Sequence, residues 1–345
     1  MPHRVTALPA GTALLLLALA TLHGAIAATP GADAHCESIA DADARLRCYD
    51  TAHGAAPSAP TRRDGQFPWY TEREQGSVFD QRWELAREDK RGTFEFRPYK
   101  PVYFLPIFLH SRPNDTPDSE NPLNQVTEDQ NLNRNETKVQ ISFKTKLWEK
   151  ILADNGDLWF GYTQSSRWQL YNGDTSRPFR ETDHEPELML IWRTDWELLG
   201  FKGRLVGLSL NHQSNGRSLP FSRSWNRVIL PIGIEYDRWS LFIKPWWRIS
   251  EDAEDDDNPL IEDYVGRGEL QMIRTYGDNI FSGSIRHSLR DGDRSHGSLA
   301  LDWSIPIKRN LRAHLQLFHG YGESLIDYNH RATVLGVGIS LVDWY

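Results

Sequence analysis

The chain has 345 residues, a formal net charge of −8 and 13 Trp. An acidic, Trp-rich chain without a basic stripe excludes an ordinary nucleic-acid binder. After the first residues, charged side chains recur too often for a membrane-spanning helix. What remains is a secreted soluble protein or a membrane protein that crosses with strands.

The start reads as a secretion signal. Arg4 supplies a positive charge, residues 13–22 are apolar, and Ala25-Ile26-Ala27 matches a small-residue cleavage site. The apolar run is too short to span a bilayer as a helix. Residues 1–27 are therefore expected to be a signal peptide and residues 28–92 an N-terminal periplasmic extension with a linker. Cys36 and Cys48 are the only cysteines, within a stretch whose Ile39, Leu46 and Tyr49 form a partial helical face. In an oxidising compartment they pair; in a reducing one they are two free thiols. Residues 52–63, rich in Ala, Pro and Ser, read as linker. Residues 69–89 read as polar and irregular.

From Phe94 onward, short alternating segments are separated by polar turns, with a long Asn-, Asp- and Pro-rich loop at 114–134. Val139, Ile141 and Phe143 alternate with Gln140, Ser142 and Lys144. Leu158, Phe160 and Tyr162 alternate with Trp159, Gly161 and Thr163, and Leu335, Val337, Ile339 and Leu341 with Gly336, Gly338 and Ser340. A soluble sandwich alternates in the same way. A transmembrane barrel is favoured by the small and polar residues on the second face. It is also favoured by Trp239, Trp246, Trp247, Trp303, Trp344 and Tyr345 near strand ends, as interfacial girdles. An open edge in hydrocarbon would leave backbone groups unpaired, so the sheet must close. The expectation is an all-β, twelve-stranded antiparallel transmembrane β-barrel over residues 93–345, with a short N-terminal periplasmic segment.

One hairpin carries reactive groups. His212 and Ser214 share the strand phase of Leu208 and Leu210, and Asn226 shares that of Val228, Leu230, Ile232 and Ile234. With a turn centred near Leu219 and Pro220, Asn226 returns opposite His212. A division of labour follows: Ser214 as nucleophile, His212 as general base, Asn226 as the group that orients the imidazole. An i,i+2 pair needs local twist or a bulge to meet on a strand. The spacing is met equally by an ordinary polar hairpin end. What favours chemistry is the position of an uncharged polar cluster beside outward-facing leucines. No Gly-x-Ser-x-Gly elbow surrounds Ser214, which argues against a soluble α/β-hydrolase. The Gly216 N–H or a hard divalent cation would be needed for the oxyanion. The run at 251–257 is the strongest local anion cluster, or a solvated acidic loop.

Around these residues the chain resembles outer-membrane phospholipase A. The resemblance rests on Tyr162-Thr163-Gln164, Pro178-Phe179-Arg180-Glu181-Thr182, Asn215-Gly216-Arg217-Ser218 and Ser222-Arg223-Ser224-Trp225-Asn226. It continues at Lys244-Pro245-Trp246, Asp257-Asn258-Pro259 and the segment from Gly320 to Asn329. It implies calcium-dependent hydrolysis of phospholipid and lysophospholipid acyl esters, of A1 and A2 type, in the outer membrane of a Gram-negative cell. His212, Ser214 and Asn226 would form the triad on the outer wall, in an enzyme active as a homodimer. The resemblance implies Ca²⁺ held by the Arg217 carbonyl and Ser222 hydroxyl, with Ser166 of the other subunit. A calcium-bound water and the Gly216 N–H would form the oxyanion hole. Asp257 matches a second calcium site, whose usual partner carboxylate falls at Leu219, and Gln213 replaces the usual acid between His and Ser. A non-catalytic pore is the alternative; it predicts His212 and Ser214 facing the lumen.

Overall fold

The computed structural model describes residues 36–41, 44–45, 48–49, 77–152 and 154–342. The segments expected to be signal peptide and linker, and Trp344 and Tyr345, lie outside these. Residues 36–37, 44–45 and 48–49 are helical, and Cys36 is disulfide-bonded to Cys48.

Among the described residues, twelve antiparallel strands close into a barrel. Strand β1 comes in two pieces, Phe96–Pro98 and Val102–His110, both paired to β2 (Asn135–Trp148). Then follow β3 (Asp157–Trp168), β4 (Phe179–Leu198) and β5 (Phe201–Ser214). Strand β6 is again split, into Ser224–Ile229 and Ile232–Tyr236. Its break falls at Leu230 and Pro231, where proline cannot donate to the ladder. The wall is completed by β7 (Trp239–Ile249), β8 (Gly268–Tyr276), β9 (Asn279–His287), β10 (Gly297–Lys308), β11 (Leu311–Tyr321) and β12 (Arg331–Val342). β12 pairs with β1, so the sheet has no free edge. Turns at one end are tight: Leu199 and Gly200, joining β4 to β5, both have positive φ, as the hairpin twist demands.

Alternation sets the two faces. Ile141, Leu188, Leu208, Leu210, Leu299, Leu301, Leu335 and Leu341 point outward and are exposed, while Ser142, Lys144, Ser209, Asn211, Gln271 and Ser340 are buried within. Apolar side chains outside a polar interior suit hydrocarbon outside and water or ion pairs inside. Several interior charges are paired. Arg180 bridges Glu136 and Asp327, Arg167 bridges Asp183 and Glu323, and Lys138 also reaches Glu323. Of the tryptophans expected in the girdles, Trp247 and Trp303 are exposed on the outer face. Trp246 is buried and packs edge-on to Trp225, because the odd-numbered neighbour in β7 takes the outer face.

The irregular reading of residues 69–89 fails over its second half. Helix α1 (Val78–Trp83) is capped by Ser77, whose hydroxyl accepts from the Asp80 amide. Its Phe79 and Trp83 pack with Trp159, Met189, Ile191, Leu205 and Phe242. Trp83 lies edge-on to Trp159 at 5.9 Å, and Lys144 Nζ sits 3.2 Å from the Trp83 ring centroid. A helix of six residues is marginal alone, and burial of two aromatic rings stabilises it here. The plug occupies the end of β5 opposite to His212.

Candidate active site

Register delivers the hairpin that the sequence predicted. His212 in β5 is the direct cross-strand partner of Asn226 in β6, and the pairing from Ser209 to Ser214 runs without a shift. Of the twist or bulge expected, no bulge is present: His212 and Ser214 project on the Leu208 and Leu210 face of an unbulged strand. The imidazole Nδ1 lies 2.8 Å from Asn226 Oδ1. An amide oxygen only accepts, so Nδ1 carries the proton and Nε2 is left as the basic nitrogen. Ser214 lies two residues on, on the same face, and its hydroxyl makes no hydrogen bond among the described residues. Catalytic hydrogen bonds often tighten only with substrate bound.

Beyond Ser214 the chain turns through Asn215, whose side chain organises the tip. Its Oδ1 accepts from the Arg217 and Arg223 amides, and its Nδ2 donates to the Phe221 carbonyl and Glu181. The backbone at Gly216 takes φ +64°, a region that favours glycine, and faces outward. Its N–H makes no hydrogen bond among the described residues. The ring of His184 lies next to it, held by a 2.8 Å bond to the Tyr162 hydroxyl, and His184 is the cross-strand partner of Ser214.

The predicted cation ligands fall in two places. The Arg217 carbonyl accepts no hydrogen bond among the described residues. Ser222 Oγ donates to Asp257 Oδ2 at 2.7 Å, and Asp257 also accepts from Ser224 and from Asn124 Nδ2. Thus Ser222 and Asp257, assigned by resemblance to separate sites, touch. Asn124 is fully buried and its Oδ1 has no hydrogen-bond partner among the described residues. Hydroxyl, carboxylate and amide oxygens are the donors a hard divalent cation takes, so the residues fit calcium in kind. Leu219 is exposed and offers no side-chain oxygen, and among the described residues no cluster of three acid, His or Cys side chains forms.

Ser166 is on the outer face, as its phase requires, but is only 4% exposed. Its hydroxyl accepts from Thr182 at 3.0 Å and from Gln164 at 3.3 Å. Both acceptor lone pairs are thus engaged, so reaching a cation on another subunit requires at least one of these side chains to turn away.

Three contributors escaped the sequence reading. Arg223, wholly buried, donates to the carbonyls of Asp118, Asn124, Pro220 and Ser222, fastening the 114–134 loop to the hairpin. Asn124 joins the same loop to Asp257. Glu251, read only as part of an acidic run, accepts from Asn226 Nδ2 at 2.9 Å. Spacing gave no signal for any of them, since each contact spans a long stretch of chain or depends on which way one amide points.

A family model described as phospholipase A1 matches residues 79–341. The chain belongs to the phospholipase A1 family. Phospholipase A1 of Escherichia coli K12 is 41% identical over 216 residues, 63% of this chain and 73% of that protein. Phospholipase A1 of Proteus vulgaris is 36% identical over 258 residues, 75% of this chain and 85% of that protein. Among solved structures, outer membrane phospholipase A from Escherichia coli superposes with a TM-score of 0.65 at 37% identity, covering 73% of this chain and all of that one. A Salmonella typhi outer membrane phospholipase, a dimer with bound calcium, gives a TM-score of 0.67 at 34% identity, over 78% of this chain and all of that one. The twelve-stranded outer-membrane barrel and phospholipase A-type lipid hydrolysis expected from sequence are those of the family.

Proposed function

We propose that this enzyme hydrolyses acyl esters of phospholipids and lysophospholipids through Ser214, His212 and Asn226, with calcium and a second subunit required for full activity. The observation that carries the reading is the 2.8 Å contact from Asn226 to His212 on the lipid-facing side of the barrel. Ser214 Oγ attacks the ester carbonyl while His212 Nε2 takes its proton. Asn226 Oδ1 holds the Nδ1–H, keeping the ring in the tautomer that can act as base. The tetrahedral oxyanion collapses, the C–O bond to the glycerol side breaks, and His212 returns its proton to the departing alcohol. A water, deprotonated by His212, then releases the fatty acid and restores Ser214. The Gly216 N–H, turned outward by its left-handed backbone, supplies one donor to the oxyanion.

Calcium would be held by the Arg217 carbonyl and the Ser222 hydroxyl, and would add positive charge where the oxyanion develops. Ser166 enters from the other subunit only in a form in which Thr182 or Gln164 has released it. Asp257 lies close enough to Ser222 to act on the same region; with Leu219 where the resemblance expects a second carboxylate, Asp257 supplies its own alone. The N-terminal segment is read as periplasmic, since α1 plugs the end of the barrel away from His212.

The outward placement of His212 and Ser214 disfavours the pore reading, which needs them in the lumen. Calcium titration in detergent, following hydrolysis and oligomer size together, tests the whole proposal. Activity and dimer are expected to appear over the same calcium range. Full activity of a calcium-free monomer would overturn it.

A further inference from the structure

We propose that Glu251 is a positioning residue for the reaction, acting on His212 through Asn226; this rests on the triad reading above. Asn226 pairs across the sheet with His212 on one side and with Ile249 of β7 on the other. Glu251 follows two residues after Ile249, in the same outward phase, just past the end of β7. Ser214, His212, Asn226 and Glu251 therefore form one row along the outer rim of three adjacent strands. Glu251 Oε1 accepts from Asn226 Nδ2 at 2.9 Å, and Asn226 Oδ1 faces His212 Nδ1 at 2.8 Å.

The carboxylate decides which way the amide points. An ionised carboxylate has only acceptor sites, so the NH₂ group of Asn226 must face it. The amide oxygen is then forced toward the imidazole, which must present Nδ1–H and keep Nε2 bare. Were the amide reversed, two oxygens would oppose each other at Glu251, and NH₂ would face the ring. A neutral Asn by itself is free to take either orientation and brings no charge to the imidazolium. Glu251 corrects both deficits, since its negative charge lies one amide away from the ring. Glu251 is itself steadied by Arg248, whose guanidinium is 3.4 Å from Oε2 and also pairs with Asp256 at 2.5 Å. Arg248 further donates to the carbonyls of Asn258 and Pro259, which anchors the end of the acidic loop.

The test uses the full-length enzyme in detergent with saturating calcium and a phospholipid substrate. Glu251→Leu is expected to lower kcat by roughly 10- to 100-fold, the range of one hydrogen bond to a charged group, with KM little changed. The acid limb of its kcat profile should move to lower pH, because the imidazolium loses a stabilising charge. Glu251→Gln should lose less, as its side-chain oxygen still accepts from the amide. A second pair removes dependence on how Glu251→Leu folds. Asn226→Asp sets two carboxylates face to face and should be impaired; adding Glu251→Gln should raise its activity, because the Gln amide can donate to the new Asp. Glu251→Leu within twofold of the parent with an unmoved acid limb, or no gain in the double variant, would overturn the proposal. Ser214→Ala separates the two claims: if it retains turnover the triad itself fails, and if it is dead while the Glu251 variants match the parent, only Glu251's role is lost.

Discussion

Ser214→Ala is expected to reduce phospholipid hydrolysis by roughly 10⁴- to 10⁶-fold at saturating calcium, the loss seen when a hydrolase nucleophile or its base is deleted. Ser214 ends β5 on the outer face, one strand position pair beyond His212, and its hydroxyl supports no other group among the described residues. The substitution therefore removes an attacking oxygen without leaving a buried partner unsatisfied, and the barrel should assemble normally. KM should change far less than kcat, since acyl-chain binding does not use this hydroxyl. His212→Ala should fall by a similar factor, and the pair together by little more than either, because the two act as one unit. Steady-state hydrolysis with a phospholipid substrate, beside circular dichroism of each variant, checks this. A well-folded Ser214→Ala enzyme with parental turnover removes Ser214 as nucleophile.

Glu323→Gln is expected to cost about 3–5 kcal/mol of stability, the penalty for removing one partner from a buried ion cluster. Glu323 sits in the loop after β11 and is buried at the top of the lumen. It accepts from Lys138 at 2.8 Å and from Arg167 at 3.0 Å. Burial pushes its carboxyl up, but the opposing charges of Arg167 and Lys138 outweigh that and hold it down at about 2. A carboxyl depressed in the folded state stabilises fully above its unfolded value, near 4.5, and that contribution fades as pH falls toward about 2. The parent should accordingly lose stability between those values. Glu323→Gln should start lower and show a flatter acid response, because its amide has no proton to gain. Urea unfolding in lipid bilayers from neutral pH down to acid measures both. Parallel curves for parent and variant would mean that this carboxylate does not carry the linkage.

How much was legible follows from what kind of physics each feature uses. Period-2 alternation is local, so the outward faces of Ile141, Leu208, Leu210 and Leu335 could be read directly, and with them the outward phase of His212 and Ser214. The hairpin partner Asn226 was also within reach, since a short connection fixes register across neighbouring strands. α1 was missed because six residues with two aromatics have no periodicity of their own; the helix exists through what it packs against. Trp246 was taken for a girdle residue because nearness to a strand end says nothing about which side of the wall a ring takes beside another tryptophan. No bulge appeared near Ser214 because β5 and β6 keep one register from Ser209 to Ser214, which leaves local twist as the way for His212 and Ser214 to meet.

By itself, then, the amino-acid order determined the class of fold, the lipid-facing phase of the reactive hairpin and the chemistry its residues permit, since these depend on alternation and on residue type. Only the tertiary structure decided that Arg223 ties the 114–134 loop to the hairpin, that Ser222 and Asp257 meet, that Ser166 is covered, and that Glu251 stands behind Asn226. Those contacts join segments far apart in the chain or turn on a single amide's orientation. They come into being when barrel closure brings the loops of separate hairpins to one rim.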